Sequence, residues 1–196
     1  MATCPCSALA SLVFVAEAGI GLWIWSVWSW RLRMETSFRA VGAKNLVQEF
    51  QTYGYPTWFF YLVFACKVTC ASILVLAIIF PKPILTLIGA GGMFVLMSGA
   101  LVSHCKVKDP PSKSIAAFSM WFLSTYILIA LSQGCVVDSP ASIDPVRTCS
   151  GCVVAFACFV MWLRSFLRGD YNFANYEKMD EKTEGLLKET DALLKA

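Results

Sequence analysis

Charge is scarce in this sequence. Asp, Glu, Lys and Arg supply 15% of its 196 residues and hydrophobic residues 58%, whereas a soluble domain carries about 25% charged residues. That shortage excludes an ordinary water-soluble domain, and the chain is read as an all-α integral membrane protein. Histidine occurs once, at His104, so no histidine pair stands at zinc-binding spacing, and no metal site is expected despite nine cysteines. Lys and Arg are missing from the first seven residues. A cleaved secretory leader starts basic, so the first apolar run is read as a retained anchor. No nucleic-acid partner is expected.

What is present is a set of long apolar runs. Five segments approach the 20 or so residues needed to cross about 30 Å of hydrocarbon, over 7–30, 57–80, 83–104, 114–134 and 148–168. The fifth is the weakest, and without it the bundle has four spans; its arginines, Arg164 and Arg168, stand where they can snorkel to an interface. Basic residues provide a second test. Of the sixteen Lys and Arg, thirteen fall in alternate connections or the tail, Lys82 and Arg147 on the other side, and Lys67 inside a span. Under the positive-inside rule this split favours five crossings, an outer N-terminus and a C-terminus on the basic inner side. The residues thus divide into a transmembrane helical domain, 1–168, and a polar tail, 169–196.

Between the first two spans, Phe38, Val41, Leu46, Val47 and Phe50 are spaced like one helix face. An interfacial helix over 34–53 is expected, the alternative being a loop helix packed on the bundle. Gly54-Tyr55-Pro56 then breaks it. In the tail, leucine pairs at 186–187 and 193–194 recur after seven residues. A short amphipathic helix there suits docking on another membrane subunit, against the alternative of a solvated tail.

Two ionisable residues lie deep in apolar spans, a costly placement. Glu17 is ten residues from one end of its span and Lys67 ten from the opposite end of the next. At about 1.5 Å per residue both reach the bilayer midplane, and an intramembrane Glu17–Lys67 ion pair is expected, as a packing clasp or part of a proton path. His104, with Asp109 before a Pro-Pro break, is a candidate for a head-group or quinone contact, or for capping its helix. Gly89, Gly92 and Gly99 share a face and are expected to let helices approach closely. Cys135 is placed to form a disulfide with Cys149 or Cys152 in an oxidising outer compartment. Trp23, Trp25, Trp28 and Trp30 read as an aromatic belt, or as a platform for a pigment ring.

From Gly54 to about Ala130, the Gly54-Tyr55-Pro56 entry, Lys67 before an apolar half-helix, Pro81 in a tight turn, the glycine-rich third span, and Gly99-Ala100 with Ser103-His104 and Asp109 beyond form one pattern. It resembles the DoxX-like membrane protein family. The resemblance implies a four-helix membrane bundle, here with an added C-terminal span and tail. It leaves function open, since members include subunits of a thiosulfate:quinone oxidoreductase and relatives of a receptor-assembly chaperone. Ala65 stands where many relatives have glycine.

Three functions are weighed. A non-catalytic accessory or assembly subunit of a larger membrane protein complex comes first, because the fifth span and tail suit contact with other membrane subunits and no complete catalytic constellation is visible. A quinone-linked oxidoreductase subunit and a small proton-coupled transporter are the alternatives. No cofactor is required by the residues, though a lipid, quinone or pigment fits the composition. An organelle inner membrane or the endoplasmic reticulum suits the charge pattern.

Overall fold

A computed structural model describes residues 5–34, 36, 43–133, 153, 156–160 and 164. Five helices occur among the described residues up to 133: α1 (Pro5–Trp28), α2 (Leu46–Thr52), α3 (Thr57–Ile79), α4 (Pro83–Lys106) and α5 (Pro111–Ser132). All but α2 are long and apolar enough to cross a membrane, so the described chain is a helical membrane bundle. Proline sets three of the starts. Pro56 caps α3, and Pro83 and Pro111 occupy first-turn positions in α4 and α5, where a missing N–H costs nothing.

The four long helices form a ring. α1 packs on α3 and α5, and α4 packs on the same two, so α1 and α4 face each other across the centre. Lipid offers no hydrophobic drive to bring helices together, and close contact must do so. A Cβ on Gly92 would come 2.5 Å from Cys70 Sγ, and one on Gly89 would come 2.8 Å from Leu74 Cγ. Gly21 of α1 meets Val75 of α3 in the same way. Large apolar side chains such as Val15, Trp58, Val102 and Phe122 are exposed on the outside of the ring, as a surface facing lipid requires.

One end of the ring collects Arg31, Lys44, Lys106, Lys108 and Lys113, and is called the basic end. Of the loop helix expected over 34–53, Leu46–Thr52 is helical among the described residues, and Leu46, Val47 and Glu49 are buried. Phe50 enters an aromatic cluster with Trp28 and Phe60, at ring separations of 6.2 and 5.3 Å. α2 therefore packs on the bundle, because its apolar side chains find helix rings to bury against. Phe38 and Val41, the other half of the expected helix, lie outside the described residues.

The fifth expected span, 148–168, falls mostly outside them too. Residues 153, 156–160 and 164 are helical, and the Arg164 guanidinium lies 4.7 Å over the ring of Trp30 at the basic end. The tail, 169–196, is wholly outside the described residues.

Candidate functional site

Two helix endings of one kind face each other at the basic end. α2 stops at Gly54, with a positive φ of 78°; the Gly54 N–H bonds to the Gln51 carbonyl and the Tyr55 N–H to that of Phe50. α4 stops likewise: the Lys108 N–H reaches Cys105, the Asp109 N–H reaches His104, and Lys108 takes φ 55°. This is the Schellman stop, which wants glycine at the left-handed position. Gly54 satisfies that demand and Lys108 does not. The first stop leaves Tyr53 at the end of α2; the second folds Asp109 back beside His104.

Their side chains meet in a buried cluster. The Tyr53 hydroxyl lies 3.1 Å from Glu49 Oε1, 3.0 Å from His104 Nδ1 and 3.1 Å from Asp109 Oδ2. His104 Nδ1 is 2.9 Å from Asp109 Oδ2. A hydroxyl has one proton to give and two lone pairs. The Tyr53 hydroxyl stands where it donates to Glu49 or to Asp109, and His104 donates to Asp109 when Nδ1 carries a proton. Burial, followed by the Glu49 and Asp109 charges, holds the Tyr53 hydroxyl protonated well above the ordinary tyrosine range. Beside the cluster, Ser103 Oγ donates to the Gly99 carbonyl at 2.8 Å, so the Tyr55 hydroxyl donates to Ser103 at 3.0 Å. Lys106 Nζ is 5.3 Å over the Tyr55 ring.

Inside the ring, next to this cluster, is a cavity of about 280 Å³. Ile24, Trp28, Val63, Met97, Ala117 and Met120 are among its apolar walls, and Arg31, Glu49, Tyr53, Lys67, His104 and Lys113 supply polar groups. Its lining comes from all five helices. The ring is thus hollow toward the basic end, whereas farther along Glu17 and Thr86 close it from α1 to α4.

The expected site residues are distributed as follows. Glu17 is fully buried and its Oε1 accepts the Thr86 hydroxyl at 2.8 Å. Lys67 Nζ lies 5.3 Å over the Trp28 ring, eleven residues along α1 from Glu17, or about 16 Å of helix. The structure does not bring the two together. Equal depth from the span ends misses the antiparallel register: Gly21 packs on Val75, so Glu17 is level with the far end of α3, while Lys67 reaches toward the basic end. His104 and Asp109 do meet. Gly89 and Gly92 form the close α3–α4 contact, but Gly99 has open space where a Cβ would stand and lines the cavity. Cys135, Cys149 and Cys152 lie outside the described residues; the last two have the spacing Cys-x-x-Cys. Trp23 and Trp28 line the cavity.

Tyr53 and Glu49 were not anticipated. Tyr53 precedes a glycine expected only to break a helix, and Glu49 is the one carboxylate on the packed segment Leu46–Thr52. An acid among residues that bury their neighbours was the available signal.

Among known families, the model of the DoxX-like family matches residues 33–129. This region is DoxX-like, and it starts earlier than Gly54, taking in α2 and hence Glu49 and Tyr53. No curated protein and no solved structure matches the chain.

Proposed function

We propose that this DoxX-like membrane chain is a non-catalytic accessory subunit of a larger membrane protein complex, and that its contribution is to hold an amphipathic small molecule inside the helix ring. The cavity carries this reading. Apolar walls with a few convergent polar groups at one end are the usual form of a small-molecule site, and here the polar end is braced by the Tyr53–His104–Asp109–Glu49 cluster. A quinone, a lipid or a pigment each has that two-sided chemistry.

The fifth segment and the tail are the surfaces offered to other subunits. Arg164 over Trp30 supports a fifth segment that ends at the basic end. The positive-inside rule then puts the basic end and C-terminus inside, in an organelle inner membrane or the endoplasmic reticulum.

Mass spectrometry of the chain purified in mild detergent tests both parts. The expected result is co-migration with larger membrane subunits and about one amphiphile per chain. A bound quinone that changes redox state with a partner would replace this reading by the oxidoreductase one. A lone, folded chain holding no small molecule would end it.

A further inference from the structure

The cavity has an unequal charge lining. Arg31, Lys67 and Lys113 face it, and among the described residues Glu49 is the one carboxylate in its walls. Glu49 is already engaged by the Tyr53 hydroxyl. Lys67 is the deciding residue. It stands ten residues into α3, about 15 Å along the helix from the basic end. Its ammonium rests over the Trp28 ring and feels the Glu49 charge from a distance. Among the described residues no carboxylate stands within ion-pair distance of it. A cation at such depth is expensive unless a counter-charge is present, and the bundle leaves a hollow beside it.

Met97, Ala100, Ala117 and Met120 of α4 and α5 are apolar walls of the hollow. Val95 lines the cavity and is 67% exposed, so the cavity reaches the flank of the ring halfway along α4, where the surroundings are lipid tails. A molecule entering there places its tail against the flank and its head toward Lys67.

We infer that the cavity selects amphiphiles with an oxyanion head, a phosphate or a carboxylate, and that Lys67 is the residue that binds the anion. Arg31 and Lys113, near the ends of α1 and α5, line the cavity toward the basic end. This rests on the ligand-holding role proposed above and specifies the ligand's charge. A neutral head has no group to pair with Lys67 and leaves the ammonium without a counter-ion. A phosphate or carboxylate forms a charge-assisted hydrogen bond of the stronger kind.

The full chain, delipidated in mild detergent, is offered equimolar phosphatidylglycerol and diacylglycerol, which has no oxyanion, with identical acyl chains and analysed by native mass spectrometry. Wild type is expected to prefer phosphatidylglycerol by about tenfold or more, the ratio that one charge-assisted bond supports. Lys67→Met and Lys67→Gln lose the preference, and Lys67→Arg keeps it. Each variant is compared only if its size-exclusion profile matches wild type, and the two neutral replacements guard against failure of one to fold. Oleate and inorganic phosphate are then added as competitors. Displacement by oleate extends the class to carboxylates. Displacement by millimolar inorganic phosphate identifies the free anion, instead of the lipid, as the source of the head group. Equal retention of the two lipids by wild type, or an unchanged preference in both neutral variants, overturns the inference and leaves the ligand-holding role standing. Retention of no amphiphile by folded wild type removes that role itself.

Discussion

Tyr53→Phe isolates the hydroxyl at the centre of the basic-end cluster. The substitution keeps the ring, and so keeps its edge-on contact with His104 at 5.5 Å; only the oxygen is lost. That oxygen belongs to a residue 6% exposed and donates to Glu49, itself 7% exposed. A hydrogen bond to a charged group contributes about 1.5–3 kcal/mol, and a buried carboxylate left short of a donor carries its desolvation cost. The predicted loss of stability at pH 8 is about 2–3 kcal/mol. The pH dependence has a definite sign. Tyr53 is held protonated in the folded chain, while an unfolded chain releases this proton near the ordinary value of 10.0. Above pH 10 the folded state binds more protons than the unfolded one, so the Tyr53 contribution declines there, by at most about 1.4 kcal/mol per pH unit. The difference between wild type and Tyr53→Phe should be constant from pH 7 to pH 9 and narrow above pH 10. Urea or dodecyl sulfate unfolding in micelles, followed by tryptophan fluorescence, measures it. A difference below about 0.5 kcal/mol at pH 8, or one that does not narrow above pH 10, would refute the cluster as described.

Glycine substitutions in α4 should separate contact from cavity. Gly89→Ala places a Cβ 2.8 Å from Leu74 Cγ and is predicted to cost about 1–3 kcal/mol, while Gly99→Ala, facing open space, should change unfolding by less than about 0.5 kcal/mol. Lys108→Gly relieves a left-handed backbone at φ 55° and should raise stability by about 0.5–1 kcal/mol, seen as a later unfolding midpoint. Cys105, exposed in the last turn of α4 beside Lys106, should react with a membrane-impermeant maleimide added to the inner side of sealed vesicles, and reaction from the outer side alone would reverse the proposed orientation.

The helices were legible because each crossing leaves a long apolar window, and α1, α4 and α5 begin with proline. The His104–Asp109 pair was legible in part, since both residues belong to one helix end. Tyr53 was not, because its bonds to His104 and Asp109 span 51 and 56 residues, and no local pattern encodes that distance. Glu17 and Lys67 show the converse difficulty. Two charges at equal depth are expected to pair, but helix register and the reach of a lysine side chain give each a different neighbour. The cavity had no signature either. Gly99 looked like another packing glycine, although it faces space while Gly89, on the same helix face, is in contact.

The ligand-holding cavity is tested most directly by filling it. Ala100 of α4 lines the hollow, and Ala100→Phe puts a ring into the volume assigned to the amphiphile. Native mass spectrometry of wild type and Ala100→Phe, purified side by side in mild detergent and matched by size exclusion, should show about one amphiphile per wild-type chain and none on the variant. Equal occupancy of the two proteins would contradict the account.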